Sequence, residues 1–274
     1  MIADGGSERL LREPATPIVA LDFSRVTEAL RMVAMLGDRC RFYKVGLELF
    51  GAEGPGVVRA LRASGCDVFL DLKFHDIPNT VRGAVRSAAQ LGARLVTAHA
   101  SGGRMMLEAA ADGAEEGSGD SAASRCEVLA VTVLTSLDAT ALAEAWGRGP
   151  RGGDVQAEAA SGARESLPGI AGDSAGISVE SEVLRLAGIA RAAGVHGVVC
   201  SGAEAGAVRR RHGDALALLV PGIRFAAGPS HDQARVVTPR AAVEAGARYV
   251  VLGRAVTGAA DPAAAMQRVL DEIA

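Results

Sequence analysis

Short apolar runs alternate with helix-like segments along almost the whole chain, and this alternation restricts the possible folds more than any other feature. Eight of the runs have the length and the apolar, β-branched composition that is typical of strands buried on both faces. They cover residues 17–22, 41–46, 68–72, 94–99, 127–134, 195–200, 215–220 and 248–252. Eight strands that alternate with helices predict an α/β fold in which parallel strands close into a (β/α)₈ TIM barrel.

The predicted helices cover residues 26–36, 55–63, 79–91, 103–114, 180–193, 203–211, 239–245 and 262–273. An open, doubly wound sheet is the alternative fold, but the turn after the first strand lacks the G-x-G-x-x-G pattern of dinucleotide-binding sheets. We expect a single barrel domain over residues 16–274, after an N-terminal extension over residues 1–15. A stretch rich in Gly, Ala and Ser at about 147–176 has few large apolar side chains, so it is predicted to be a flexible insertion.

Charge and cysteine content exclude several classes of function. The net charge is −3 and the pI is about 6.0, which argues against binding to nucleic acid or to an acidic membrane surface. The four cysteines are widely spaced and none belongs to a metal-ligand pattern, so we expect free thiols in a reducing compartment. No apolar run is long enough to span a bilayer, and the N-terminus lacks the apolar core of a signal peptide. These features predict a cytoplasmic protein.

The third predicted strand leads into a cluster of charged residues at its C-terminal end. Asp71 and Lys73 are two positions apart and would point the same way on an extended strand, and Asp76 follows closely. Pro78 then suits the first turn of a helix, where no N–H is needed. An acid and an amine held side by side can exchange a proton, because each perturbs the proton affinity of the other. A solvated ion pair at a strand–helix junction is the alternative interpretation.

Most of the other predicted strands also end in a polar side chain. Catalytic groups of barrels gather at the C-terminal ends of the strands, so these residues are candidates for one site. Beside Asp71 and Lys73, they are Asp22, Lys44, His99, Thr135, Ser136, Ser201, Arg224 and Arg254. We expect His99 and His75 to pack or to cap rather than to catalyse, and no carboxylate–histidine spacing predicts a metal site.

The last two strands add a predicted phosphate site. Pro221 and Arg224 follow the seventh strand, and Gly253 and Arg254 follow the eighth and open a helix. Backbone N–H groups beside a glycine, a helix N-terminus and two guanidinium groups suit a phosphate at the place where TIM barrels usually bind one. The polar loop over residues 225–234 is placed to fold over a bound phosphate.

Taken together, these residues resemble the orotidine 5′-monophosphate decarboxylase family. Residues 71–80 (DLKFHDIPNT) match its D-x-K-x-x-D-I-P-x-T motif, and further matches follow the family's order from residue 17 onward. These matches are residues 20–22 (ALD), 43–46 (YKVG), 134–136 (LTS), 221–224 (PGIR), 232–233 (DQ) and 252–254 (LGR). The resemblance implies a lyase without a cofactor, which converts orotidine 5′-monophosphate to uridine 5′-monophosphate in the last step of de novo pyrimidine biosynthesis.

The resemblance also implies a role for each matching residue. Lys73 would protonate C6 of the pyrimidine as CO₂ leaves, and Asp71 would lie against the substrate carboxylate. Lys44 and Asp76 would complete an alternating chain of charges, and Asp76 and Thr80 would reach the neighbouring subunit's site, which implies a homodimer. The remaining substrate contacts would be Asp22 and Lys44 to the ribose, Ser136 to the pyrimidine edge and Arg224, Gln233, Gly253 and Arg254 to the phosphate, with Thr135 and Pro221 beside them.

Two other functions stay open from the sequence. Related barrels use a D-x-K-x-x-D motif for metal-dependent decarboxylation or aldol chemistry on sugar phosphates, but Lys44 at the mouth of the second strand would repel a cation. A phosphate-ligand binder without catalytic activity is the third possibility. The complete set of proton-transfer residues argues against such a binder.

Overall fold

The computed structural model describes residues 14–119, 125–146, 178–225 and 237–274. In these ranges eight parallel strands form a closed barrel in which neighbours follow the order of the chain, and the last strand pairs with the first. The strands are β1 (Thr16–Ala20), β2 (Phe42–Val45), β3 (Asp67–Phe74), β4 (Leu95–His99), β5 (Glu127–Val131), β6 (Gly197–Val199), β7 (Ala217–Val220) and β8 (Tyr249–Leu252). The predicted (β/α)₈ barrel is confirmed.

The helices lie between consecutive strands on the outside of the barrel. They are α1 (Val26–Leu36), α2 (Leu47–Glu53), α3 (Pro55–Ala63), α4 (Pro78–Gln90), α5 (Arg104–Gly117), α6 (Ala139–Ala145), α7 (Val179–Ala192), α8 (Gly202–His212), α9 (Pro239–Glu244), α10 (Arg254–Thr257) and α11 (Pro262–Ile273). No helix within the described parts of the chain is both long and apolar enough to cross a membrane.

Two helices and the end of one strand differ most from the sequence prediction. The helices α2 and α6 were not predicted, because each has only seven residues and buries too few of them to produce a helical period. The predicted helix start at Arg254, directly after the eighth strand, is confirmed by α10. The predicted fifth strand reaches residue 134, but β5 ends at Val131. Val133 and Leu134 instead line the cavity described below, which explains their apolar character without a strand.

Two parts of the predicted domain organisation fall outside the described residues. These are the insertion at about 147–176 and all but the last two residues of the N-terminal extension at 1–15.

Each strand buries both of its faces, so the barrel has two apolar cores. In β1, Ile18 and Ala20 point into the barrel, whereas Val19 and the following Leu21 pack in the outer core with the surrounding helices. The inner core consists of Ile18, Ala20, Phe42, Phe69, Leu95, Leu129, Leu219, Tyr249 and Val251. Burial on both faces is why the strands are almost continuously apolar in sequence.

The helices α4 and α5 lie unusually close to each other because two glycines remove the side chains between them. A Cβ atom added at Gly113 would overlap the backbone oxygen of Arg82, and one added at Gly117 would overlap that of Arg86. Backbone atoms cannot move away as a flexible side chain can. The close approach therefore depends on glycine at both positions, and it fixes α4, which directly follows the charged end of β3.

We expect Gly113→Ala to destabilise the protein by about 1–3 kcal/mol, because the added methyl group overpacks the α4–α5 contact. Gly188→Ala is the matched control, since Gly188 also lies inside a helix but a Cβ there would meet no atom within 4 Å. The control should be neutral or stabilising by up to about 1 kcal/mol, because alanine favours a helix more than glycine does. Urea unfolding midpoints measure both. Equal stability of the two variants would show that the α4–α5 contact adapts to a side chain.

Candidate active site

A cavity of about 480 Å³ opens at the C-terminal ends of the strands. Its lining contains both apolar and charged side chains from several strands. The apolar lining includes Ala20, Phe69, Val131, Val133, Val199, Leu219 and Val251, and the polar lining includes Asp22, Lys44, Asp71, Lys73, Thr135, Arg224 and Arg254. A cavity of this size with a few convergent polar groups suits a small organic ligand that has both a flat apolar part and a charged part.

Alternating charges run across the mouths of the first three strands. The Nζ atom of Lys44 lies 2.8 Å from Oδ1 of Asp22 and 3.9 Å from Oδ2 of Asp71. The Nζ atom of Lys73 lies 2.8 Å from the same oxygen of Asp71. The side chains of Lys44 and Asp71 are only 12% and 13% exposed, so water screens their attraction weakly. Asp71 thus holds two ammonium groups on one side of the cavity.

The contact between Asp71 and Lys73 is confirmed, but the reason given for it from the sequence is wrong. The sequence argument was that two residues spaced two apart on a regular strand point the same way. In the structure the pairing of β3 with β4 shifts between Leu70 and Phe74, and Lys73 has a φ of 51°. Lys73 is the only residue other than glycine with a positive φ among the described residues. A bulge therefore aims its side chain, and such strained positions are common at functional sites.

Thr97 of β4 contacts this bulge and was not identified from the sequence. Its hydroxyl oxygen accepts a hydrogen bond from the backbone N–H of Lys73 at 2.9 Å and donates one to Oδ1 of Asp71 at 2.9 Å. The residue is completely buried. It lies inside a strand, so the pattern of polar residues at strand ends does not include it. A threonine among the apolar residues 95–98 was the signal that could have found it.

The whole chain contains two lysines, Lys44 and Lys73, and both line this cavity. Apart from the five histidines, all the other basic side chains are arginine. Arginine keeps its proton at any physiological pH, whereas lysine can give one up. The two ammonium groups of the chain thus both lie beside Asp71.

The predicted phosphate residues line the opposite side of the same cavity. Arg224 is buried, and its Nη1 atom donates to the backbone oxygen of Ile223 at 2.9 Å. Arg254 is exposed and begins α10 directly after β8 and Gly253. Pro221, Gly222 and Gly253 complete this wall. The predicted contact Gln233 lies outside the described residues.

Five candidate site residues in the described ranges do not line the cavity, namely His99, Ser201, Asp76, Thr80 and Ser136. Ser201 is buried, and its hydroxyl accepts a hydrogen bond from the backbone N–H of Ala203 at the start of α8 at 3.1 Å. Asp76 is exposed, and its carboxylate accepts the N–H of Ile77 at 2.6 Å. Thr80 is exposed in the first turn of α4, and Ser136 is exposed in the turn before α6. Asp76 and Thr80 are thus exposed side chains at the β3–α4 junction.

The two histidines near the motif contact each other. The rings of His75 and His99 have centroids 5.4 Å apart. Burial lowers the pKa of His99 below its usual value, and the nearby charges of His75 and Lys73 lower it further. No group of three or more His, Cys, Asp or Glu side chains in the described ranges is placed to hold a metal ion.

Comparison with known proteins gives consistent matches over almost the entire chain. Residues 16–269 match the model of the Orotidine 5′-phosphate decarboxylase / HUMPS family. An orotidine 5′-phosphate decarboxylase of Halorhodospira halophila is 45% identical over 95% of this chain and 97% of its own length. One from Anaeromyxobacter sp. (strain K) is 46% identical over 91% of this chain and 94% of its own. The solved structure of orotidine 5′-phosphate decarboxylase from Lactobacillus acidophilus is similar with a TM-score of 0.75 and 34% identity, over 95% of this chain and 99% of that one.

Proposed function

Since the chain belongs to the Orotidine 5′-phosphate decarboxylase / HUMPS family, we propose how its charged cavity decarboxylates orotidine 5′-monophosphate (OMP) to uridine 5′-monophosphate (UMP) without a cofactor. The reaction makes the protein a carboxy-lyase of pyrimidine biosynthesis. The family name covers more than one activity, but the relatives from Halorhodospira halophila, Heliobacterium modesticaldum and Anaeromyxobacter sp. (strain K), at 45%, 40% and 46% identity, are each named orotidine 5′-phosphate decarboxylase. The residue roles below are our own proposal.

The reaction has a specific electrostatic problem. When the bond between C6 and the carboxylate breaks, its electron pair stays on C6 of the pyrimidine ring. No carbonyl adjacent to C6 and no cofactor can delocalise this charge, so the protein must place a positive charge next to it. A proton donor at the same position completes the reaction by forming the new C6–H bond.

Lys73 meets both requirements in this proposal. Its ammonium group stabilises the negative charge at C6 and then donates the proton, after which the amine recovers a proton from solvent. The observation that carries the proposal is that both lysines of the chain contact the carboxylate of one buried acid, Asp71, at the mouth of the barrel. Arginine would supply the charge but would not release a proton.

Asp71 and Lys44 prepare the site around that ammonium group. We place the substrate carboxylate against Asp71, where repulsion between the two anions favours the departure of neutral CO₂. Lys44 lies between Asp71 and Asp22 and holds both carboxylates in place. The exposed carboxylate of Asp22 and the ammonium of Lys44 are also placed to bind the ribose hydroxyls.

The remaining walls fit the rest of OMP. The pyrimidine ring lies against the apolar lining of the cavity, with Thr135 near its polar edge. Ser136, which is exposed in the free protein, turns toward that edge when the substrate binds. Arg254, Arg224 and the backbone at Gly253 bind the phosphate, together with Pro221 beside them and Gln233 from the loop. Binding energy from this remote group supports closure and orientation at the reacting carbon.

A metal-dependent reaction on a sugar phosphate is the alternative within the same family. It would need the carboxylates of Asp22 and Asp71 as metal ligands. Here the Nζ atom of Lys44 lies 2.8 Å from one of them and 3.9 Å from the other, where its charge opposes a cation. This position of Lys44 supports the metal-free reaction.

We propose in addition that the protein is a homodimer in which Asp76 and Thr80 reach the neighbouring subunit's site. Three large apolar side chains follow the adjacent strands β2, β3 and β4 at the cavity end of the barrel. Leu47, Ile77 and Met105 are 63%, 67% and 74% exposed in the single chain. An apolar rim of this kind is typical of a surface that a partner covers. A cytoplasmic location is also proposed, and four buried cysteines that form no disulfide suit it.

Substitution of Lys73 tests the proton-donor role. Lys73→Ala loses both the charge and the proton, and kcat should fall by at least about 10⁴-fold. Lys73→Arg keeps the charge but cannot release the proton, so it should still lose about 10²–10⁴-fold. Arg240→Ala, on the exposed side of α9, is the control and should keep full activity. The loss of OMP absorbance measures the rate. Near-normal kcat in Lys73→Arg would mean that charge alone is sufficient.

Removal of metal ions separates the two activities of the family. Dialysis against EDTA should leave the rate of OMP decarboxylation unchanged, because Lys44 occupies the position of a cation. Addition of Mg²⁺ should then have no effect. If EDTA abolished turnover and Mg²⁺ restored it, the metal-dependent alternative would replace this proposal.

Mixed dimers test the sharing of Asp76. Lys73→Ala and Asp76→Ala chains should each be inactive alone, but a mixed dimer would have one site with both lesions and one site with neither. Random association makes about half of the dimers mixed, so about a quarter of wild-type activity should return after the two chains are co-expressed. Mixed dimers without activity, once purified by two different tags, would place Asp76 in the site of its own barrel.

A further inference from the structure

We propose that Thr97 is a positioning residue for the decarboxylation. Its buried hydroxyl group holds the backbone of Lys73 and the carboxylate of Asp71 in the geometry that the reaction needs. This inference rests on the proposed function, in which these two side chains meet the substrate carboxylate and C6.

The first observation is the position of Thr97 opposite the bulge in β3. Leu70 pairs with Val96 and Phe74 pairs with Ala98, so three residues of β3 stand opposite Thr97 alone. Regular pairing would need one residue in each strand. The backbone ladder is therefore interrupted at the residues that carry the charged side chains.

The second observation is that the hydroxyl of Thr97 replaces the missing ladder bond. The backbone N–H of Lys73 donates to Oγ1 of Thr97 at 2.9 Å. Lys73 has a φ of 51°, which its Cβ atom disfavours, so this conformation persists only if its surroundings hold it. Thr97 supplies such a contact from the neighbouring strand.

The third observation is that the same hydroxyl determines which oxygen of Asp71 faces the two lysines. The hydroxyl of Thr97 donates a hydrogen bond to Oδ1 of Asp71 at 2.9 Å. The other oxygen, Oδ2, then faces Nζ of Lys73 at 2.8 Å and Nζ of Lys44 at 3.9 Å. One side chain thus connects the strained backbone of the proton donor with the carboxylate beside it.

Thr97 does this from below the cavity. It is fully buried and is not among the residues that line the cavity, so its hydroxyl acts through Lys73 and Asp71. It lies two residues after Leu95 of the inner core and on the same face of β4. If this position only had to fill space in the core, valine would fit as well, because it has nearly the same shape as threonine but no hydroxyl. A buried hydroxyl is unfavourable unless its hydrogen bonds are made, and here both are.

Thr97→Val and Thr97→Ser test the proposal as a pair. Thr97→Val should fold, because valine suits a buried strand, but its kcat should fall by about 10–100-fold, as expected for loss of a group that orients reacting residues. Thr97→Ser keeps the hydroxyl and should stay within about threefold of the wild-type kcat. The KM for OMP should change less than about threefold in both variants, because Thr97 does not contact the substrate.

Binding of UMP, measured by calorimetry, separates a positioning role from general damage to the structure. Damage to the structure would weaken UMP binding as well as lower kcat, whereas loss of positioning would lower kcat alone. Thr97→Val should bind one UMP per chain with an affinity close to the wild type, and its kcat is then expressed per binding site. If Thr97→Val fails to fold, Thr97→Ala replaces it, with the same expected loss of kcat. Wild-type enzyme and Lys73→Ala are measured in the same series. An inactive wild type or an active Lys73→Ala would show that the proposed function is wrong, independently of the role of Thr97.

Two results would overturn the inference while the wild type and Lys73→Ala behave as proposed. The first is a kcat per binding site in Thr97→Val, or in Thr97→Ala where it replaces that variant, within about threefold of the wild type. The second is an equal loss in Thr97→Ser, which would assign the effect to packing of the methyl group rather than to the hydroxyl.

Discussion

The carboxylate of Asp71 is the group on which the other charged residues of this protein depend. Two ammonium groups placed close together in a nearly buried cavity repel each other unless an anion lies between them. Asp71 is that anion, since one of its oxygens faces both Lys44 and Lys73. Its own orientation is fixed from the neighbouring strand. In the proposed reaction, the positive charge that would stabilise developing negative charge at C6 is thus held in place before any substrate binds. Such preorganised charge lowers a reaction barrier effectively.

The barrel makes this arrangement possible because it brings distant parts of the chain to one end of a rigid sheet. Asp22, Lys44 and Asp71 follow three successive strands, and the arginines of the phosphate side follow the last two. Two apolar cores keep the strands in register, so the site itself is able to contain a bulge and a residue with positive φ. The close contact of α4 with α5 then fixes the chain directly after Asp76. Stability elsewhere supports strain at the site.

The sequence alone was sufficient for the fold and for most of the candidate site. Apolar periodicity gave the bounds of α1, α3 and α11 correctly, because each has several buried residues along one face. Most of the polar residues at strand ends converge on one cavity because closure of a parallel barrel brings these ends together. The bulge in β3 and the role of Thr97 could not be predicted, since both arise from the pairing of two particular strands. The short helices α2 and α6 were missed for a related reason, because their positions are set by packing rather than by a periodic pattern.

The central claim is that an ammonium group at position 73 donates the proton to C6. The most direct test removes this ammonium group by mutation and then restores it by chemical modification of a cysteine at the same position. Lys73→Cys should be inactive, and treatment with 2-bromoethylamine should convert the new thiol into a side chain of the same length as lysine. The four native cysteines are all buried, so residue 73 carries the accessible thiol and the treated wild type serves as the control. The account predicts recovery of kcat by at least about 100-fold once mass spectrometry shows one modified thiol per chain. A fully modified protein that stays inactive, or an untreated Lys73→Cys that turns over OMP like the wild type, would contradict it.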